Sequence, residues 1–283
     1  MAIQYQCPVC QQALHTHKES SGFYCDNKHR FDRHENGYWV FALPKKGKGK
    51  QDSRQLMRAK RHLLTSGLLS PVVDAMATCV SPLLLQGSLQ QLTLNCGEGY
   101  FVRQLAHSLA SPEMQALNVQ NHGLQQTAMS EAENAVFAAV KSDTDAFYLL
   151  GGDKRLPFAD ESFDLITLVN TALKGKESLR VLKSQGHLLY VSFGPRHLWQ
   201  VKSVLYADMA EKAMQVDLPS GLEVVTQQRV LFQHDASSET ALTLLEMTPY
   251  AWRVNDKMKR QLMSQAYAGL ELDFVVTLAK KVS

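Results

Sequence analysis

Apolar positions divide the chain into three stretches of different character. Residues 1–44 hold few aliphatic side chains and are rich in Cys, His and aromatic residues. Residues 45–53 read Lys-Lys-Gly-Lys-Gly-Lys-Gln-Asp-Ser, with no apolar content. From 53 to 85 the spacing of Leu56, Met57, Leu63 and Leu64, then Val72, Val73, Met76 and Val80, predicts two helices punctuated by Gly67 and Pro71. Beyond residue 86 short apolar runs alternate with helical spacing. Strands are predicted at 89–94, 114–119, 146–150, 165–169 and 187–192, and helices at 100–109, 125–140 and 177–182. A helix over 198–213 and late strands at 223–232 and 274–278 follow. This alternation predicts an α/β fold: a mostly parallel sheet with helices on both faces, binding its ligand beyond the carboxyl ends of the strands. The expected organisation is a small module (1–44), a basic linker with helices (45–85) and an α/β domain (86–283).

Composition adds little to this picture. Hydrophobic residues make up 45% and charged residues 20% of the chain, an ordinary globular balance. No run approaches the ~20 apolar residues that cross a bilayer, and Met1-Ala2-Ile3-Gln4 lacks the basic start of a secretory signal. A cytoplasmic protein without membrane contact is expected. The net charge of +3 is small, but its distribution is uneven. Lys45, Lys46, Lys48, Lys50, Arg54, Arg58, Lys60 and Arg61 face one acid, Asp52. Such a tract is either a solvated linker or a grip on phosphates.

Cys7-Pro8-Val9-Cys10 and Cys25-Asp26-Asn27-Lys28-His29 give C-x2-C, fourteen intervening residues, then C-x3-H. Three thiolates and an imidazole at this spacing complete a closed tetrahedral Zn²⁺ shell. A segment so poor in aliphatics needs a metal staple to hold its fold. His29 fits the spacing better than His15, His17 or His34. Cys79 and Cys96 read as small apolar residues.

Asn95-Cys96-Gly97-Glu98-Gly99, between a predicted strand and helix, resembles the glycine-rich loop of class I S-adenosylmethionine-dependent methyltransferases. Gly152-Asp153-Lys154-Arg155-Leu156-Pro157-Phe158, followed by Ser162-Phe163-Asp164, resembles a second stretch of that superfamily. The resemblance implies that Gly97, Glu98 and Gly99 cradle the cofactor, that Asp153 faces its adenine, and that Asn118 stands where an acid usually holds the ribose. With Cys7–Cys10, Cys25 and His29 included, nearly the whole chain is similar to the RlmA family, which methylates guanine N1 in a hairpin loop of large-subunit rRNA. Phe31-Asp32, Met57-x-Ala59-Lys60-Arg61, Gly194-Pro195-Arg196-His197-Leu198 and Met247-Thr248-Pro249-Tyr250-Ala251-Trp252-Arg253 carry that similarity. It implies that His197 contacts S-adenosylmethionine, that Zn²⁺ is structural, and that the protein is a homodimer with an RNA cleft.

Four positions depart from the pattern: Thr93 and Asn95 in the first motif, Asn118, and Leu69 in place of a cofactor-contacting tyrosine. They lead to a second reading, a non-catalytic RNA-binding or ribosome-assembly protein with a degenerate methyltransferase fold. Asn170 is a candidate for the guanine edge, and Trp252 and Arg253 are candidates for RNA stacking. No residue is singled out as the general base, and the sequence does not specify which guanine is modified.

Overall fold

The computed structural model describes residues 3–17, 22–41, 53–112, 114, 123–143, 145–171, 176–206, 208–214 and 216–282. Three two-residue strands open the chain, β1 (His15–Thr16), β2 (Phe23–Tyr24) and β3 (Arg30–Phe31), paired antiparallel in that order. After β4 (Trp39–Val40) come two helices, α1 (Arg54–Thr65) and α2 (Ser70–Leu84). The Oγ of Ser53 caps α1 by accepting the Leu56 N–H at 3.1 Å. Pro71 stands in the first turn of α2, where its missing N–H costs nothing.

The large sheet is built from β5 (Leu89–Leu94), β6 (Leu124–Ser130), β7 (Phe147–Leu150), β8 (Phe163–Val169), β9 (Leu182–Phe193), β10 (Leu222–Ala236) and β11 (Tyr267–Lys281). Between them lie α3 (Tyr100–Leu109), α4 (Glu133–Ser142), α5 (Glu177–Val181), α6 (Trp199–Leu205), α7 (Ser238–Glu246) and α8 (Asp256–Met263). Strand order is β10-β11-β9-β8-β5-β6-β7-β4. β5 to β9 pair in parallel, and β11 runs antiparallel to both β9 and β10. The expected α/β sheet is present. From β5 the chain winds outward to β7, then returns to place β8 on the other side of β5. That reversal opens a crevice at the carboxyl ends of β5 and β8.

Residues 115–119 of the strand expected at 114–119 lie outside the described residues, so the second parallel strand is the described one that follows them. It is Leu124–Ser130, inside the stretch whose spacing predicts a helix, and the helix there begins only at Glu133. Glutamines explain the difference. Gln90 donates to Gln125 at 2.6 Å, Gln126 to Gln91 at 3.0 Å, and Gln91 to the Thr167 hydroxyl at 2.7 Å. Polar side chains thus bind β5, β6 and β8 together where an apolar run would be expected. The helix predicted over 198–213 stops at Leu205, with Tyr206 already extended.

The N-terminal module is fused to this sheet. β4 pairs parallel with β7 (Trp39 with Leu149, Val40 with Leu150), and Tyr5 bridges to Phe158. Cys7, Phe23, Phe31, Trp39 and Phe41 share one buried cluster with Leu92, Met129, Leu149, Phe158 and Phe163. Arg180 fastens the seam. Its guanidinium donates to both Glu177 oxygens at 2.8 Å, to Asp160 at 2.8 Å, to the Phe158 carbonyl at 2.8 Å and to Gln6 at 3.2 Å. Replacing Arg180 by Met leaves Glu177 and two carbonyls short of donors, and is expected to cost about 2–3 kcal/mol in urea unfolding. A loss below ~0.5 kcal/mol, the level of an ordinary surface change, would show that the seam holds without it.

Candidate active site and metal centre

Two knuckles bring the metal ligands together. Gln11 N–H donates to the Cys7 carbonyl at 2.8 Å, and Lys28 N–H to the Cys25 carbonyl at 2.8 Å. Ligand atoms of Cys7, Cys10, Cys25 and His29 all lie within 4.8 Å of one another. Cys10 Sγ is 3.6 Å from Cys25 Sγ, and His29 Nδ1 is 3.6 Å from Cys7 Sγ and 3.3 Å from Cys25 Sγ. A tetrahedron with Zn–S near 2.3 Å and Zn–N near 2.0 Å has edges of roughly 3.5–3.8 Å. The donor set therefore fits Zn²⁺ in a closed, structural shell. The Gln12 amide pulls the Cys10 thiol down to about 6, toward the thiolate a metal needs.

At the carboxyl end of β5 the chain turns sharply. Asn95, Gly97 and Gly99 stand at φ of 52°, 56° and 76°, and α3 starts at the next residue. A Cβ on Gly99 would come within 2.6 Å of Tyr148 Oη and 3.2 Å of Ala139 Cβ. Only glycine permits this approach. Beside Gly97 the space is open to 4 Å among the described residues. A cavity of ≈ 320 Å³ occupies the crevice, walled by Thr93, Asn95–Glu98, Asn170 and Met247, with Met57, Lys60 and Leu64 of α1 across its mouth.

Three buried polar atoms at this cavity, Thr93 Oγ1, Glu98 Oε1 and Asn170 Oδ1, have no hydrogen-bond partner among the described residues. Buried polar groups normally have partners, so the wall is shaped for a polar ligand. Burial raises the Glu98 carboxyl above its usual range, against the pull of Arg61 at 3.8 Å and Arg103 at 3.9 Å. Asn170, also left-handed at φ 51°, is held by its N–H donating to the Val191 carbonyl at 2.7 Å.

The remaining predicted residues scatter. Asn118 lies outside the described residues. With the second strand at Leu124–Ser130, the acid at its carboxyl end is Glu131, which the spacing of the sequence had hidden inside a predicted helix. A Cβ on Gly152 would meet the Glu131 carboxylate at 2.8 Å, so Glu131 packs against Gly152, while neither Glu131 nor Asp153 is among the residues walling the cavity. His197 takes a different position from the one expected. It does not line the cavity; it is 1% exposed, packed between Phe193 and Phe274, with Nδ1 accepting the Asp273 N–H at 3.3 Å. Burial pushes it down to about 3, so it is a neutral packing group. Leu69 is buried at the start of α2. Arg54, Arg58 and Arg61 are exposed on α1, while Lys45, Lys46, Lys48 and Lys50 lie outside the described residues. Trp252 is 77% exposed, with the Arg253 guanidinium 5.0 Å from its ring centroid.

This strand order with one reversed strand, and a glycine turn at the switch point, define a class I methyltransferase fold preceded by a zinc-ribbon module. Residues 5–50 match the family profile described as "RlmA, N-terminal". The "Putative 23S rRNA (guanine-N(1)-)-methyltransferase YxjB" of Bacillus subtilis (strain 168) is 22% identical over 285 residues, covering 98% of this chain and 97% of its own. A protein of the same description from Micromonospora griseorubida is 28% identical, covering 88% and 87%. Among solved structures, YcgJ of Bacillus subtilis superposes with a TM-score of 0.41 at 14% identity, covering 73% of this chain and 99% of its own. The N-terminal segment thus matches the RlmA zinc-ribbon module, and the chain as a whole is similar to proteins named as 23S rRNA guanine-N1 methyltransferases. No single helix among the described residues is long and apolar enough to cross a membrane.

Two outcomes test this site. Stripping metal with a chelator, or substituting Cys25→Ser, is expected to lower the thermal midpoint and release one zinc per chain by atomic absorption, since a closed zinc shell contributes folding energy directly. Unchanged melting after complete metal removal would refute a structural role. Gly99→Ala is expected to weaken S-adenosylmethionine binding at least ~10-fold by calorimetry, because the added methyl displaces Tyr148 and strains a left-handed residue.

Proposed function

We propose that this chain transfers a methyl group from S-adenosylmethionine to N1 of a guanine in a hairpin loop of large-subunit rRNA, acting in the cytoplasm as a homodimer. The observation that carries the reading is the cavity at the switch point, beneath a basic helix, with three buried polar atoms that lack hydrogen-bond partners among the described residues. The names borne by the full-length relatives support the substrate, and the exposed Val224, Val225 and Leu231 on the outer strand β10 support a second copy.

The cofactor supplies an activated, electrophilic methyl group, so the protein's work is binding and positioning. Gly97 and Gly99 let the backbone approach, and the free N–H groups at the start of α3 face the same space. Glu131 supplies the carboxylate for the ribose hydroxyls, a charge-assisted role that Asn118 could fill only as a neutral amide. Asp153 faces the adenine, and Asn170 offers its amide to the acceptor edge. The exposed arginines of α1 attract the phosphates without regard to sequence. N1 lies on the Watson–Crick edge, so the base must be unpaired before it can react.

Because Glu131 restores the missing acid, the departures at Thr93, Asn95 and Leu69 do not favour the non-catalytic reading. Calorimetry with purified protein is expected to show S-adenosylmethionine binding, weakened about 10-fold in Glu131→Gln, equivalent to ~1.4 kcal/mol. Mass spectrometry of rRNA incubated with the protein is expected to show 1-methylguanosine. Intact RNA binding with no detectable S-adenosylmethionine binding would overturn the proposal.

A further inference from the structure

A second cavity, of ≈ 440 Å³, opens at the carboxyl end of β9. Phe193 and Gly194 form its floor, Lys202 and Tyr206 reach it from α6, and Tyr250 and Arg253 close one side. It shares no lining residue with the first cavity, but two segments run from one to the other. Asn170, in the first, is tied to Val191, two residues before Phe193 in the second. Met247 lines the first, and Tyr250, three residues later, lines the second.

Lys202 is the unusual group here. It is 9% exposed, and lysine at such burial is ordinarily ion-paired. Among the described residues its Nζ has no hydrogen bond and no ion pair; it lies 5.1 Å from the Tyr250 ring centroid. The nearby acid is already committed. Asp273 binds Arg229 at 2.9 and 3.0 Å and accepts the Arg196 N–H at 2.8 Å. Burial lowers the Lys202 ammonium, with Asp273 opposing and Lys212 adding to the shift. The other titratable groups facing the cavity are the Asp208 carboxylate, the Tyr206 and Tyr250 phenols and the Arg253 guanidinium, with His197, held neutral, behind it. An amine with access to a cavity lined by aromatic rings and by Lys212 and Arg253, against the single carboxylate of Asp208, suits a nucleotide: rings to stack the base, cations for its phosphates.

We propose that this cavity receives the unpaired acceptor guanine and that the Lys202 amine accepts its N1 proton. The inference rests on the methyltransferase reading and names the base for it. The N1–H electron pair stays on nitrogen as the proton passes to Lys202. N1 then bonds to the methyl carbon while the methyl–sulfur bond breaks and its pair returns to sulfur. A neutral thioether, an N1-methylated base and a lysine ammonium result, and the ammonium returns its proton to water. Tyr206 and Tyr250 stack the base, and Lys212 and Arg253 hold the flanking phosphates.

The test uses the full chain and a transcript of large-subunit rRNA, with single-turnover rates followed from neutral to alkaline pH. The wild-type rate is expected to rise with pH and level off as Lys202 loses its proton. Lys202→Met and Lys202→Arg, neither of which can take a proton in this range, are expected to lose about 10²-fold in rate. Their S-adenosylmethionine affinity by calorimetry should be unchanged, which also reports on folding. Tyr250→Leu is expected to raise KM for the transcript about 10-fold with kcat retained. A readout independent of methyl transfer is photo-crosslinking of a 6-thioguanine-substituted transcript without cofactor, expected to label peptides within 193–214 or 247–253. If Lys202→Met keeps the wild-type rate and pH profile while the wild type makes 1-methylguanosine, the proton-acceptor role is overturned and the methyltransferase reading survives. A wild type that methylates no guanine overturns both, and crosslinks confined to the zinc module or α1 overturn the cavity assignment.

Discussion

Everything functional in this chain depends on how β5 ends. Three of the five residues between β5 and α3 are left-handed, which reverses the chain within one turn and leaves α3 aimed back over the strand. The reversal leaves the Thr93 hydroxyl and the Glu98 carboxylate facing a shared space rather than solvent. Gly99 sits against Tyr148, which is itself anchored to Asp143, so the turn is braced by β7 and the end of α4. Because β8 returns to the opposite side of β5, Asn170 meets the same space from the other flank. The cavity is a product of winding order and backbone handedness, and the side chains lining it are secondary to both.

The sequence showed some of this and concealed the rest for identifiable reasons. Leu89–Leu94, the glycine turn and the strands ending at Leu150 and Val169 were legible because each is an apolar run closed by a turn signal. β6 was not. Its Leu-Gln-Gln-Thr-Ala-Met-Ser runs into Ala-Glu-Asn-Ala-Val, and the glutamines that bind it to β5 look like one face of a helix until their partners are known. The helix expected over 125–140 therefore concealed Glu131 as the residue that follows β6. The zinc ligands were legible from spacing alone, since a knuckle is local. Lys202 could not be found that way, because its burial is created by β11 and by the 247–253 turn, distant in sequence.

His197 shows how a motif can mislead about a side chain while pointing to the right place. Gly194-Pro195-Arg196-His197-Leu198 forms the corner that follows β9, and its imidazole turns inward between two phenylalanines. Phe193 and Gly194 of the same corner border the second cavity, and Arg196 joins Glu271 and Glu211 in the ion-pair network that keeps Asp273 occupied. The histidine packs the inside of the corner, and Phe193, Gly194 and Pro195 beside it line the second cavity.

The pairing of β4 with β7 has a consequence of another kind. A sheet built by winding must stop somewhere, and its last strand presents a row of unsatisfied N–H and C=O groups to any passing chain. Here the strand that covers that row belongs to the metal-bound module, with Phe41 N–H donating to the Leu150 carbonyl at 2.8 Å just beyond it. The ion is thus a guard against self-association as well as a local staple. Loosening that module would expose the Leu149–Leu150 edge to pairing with another chain.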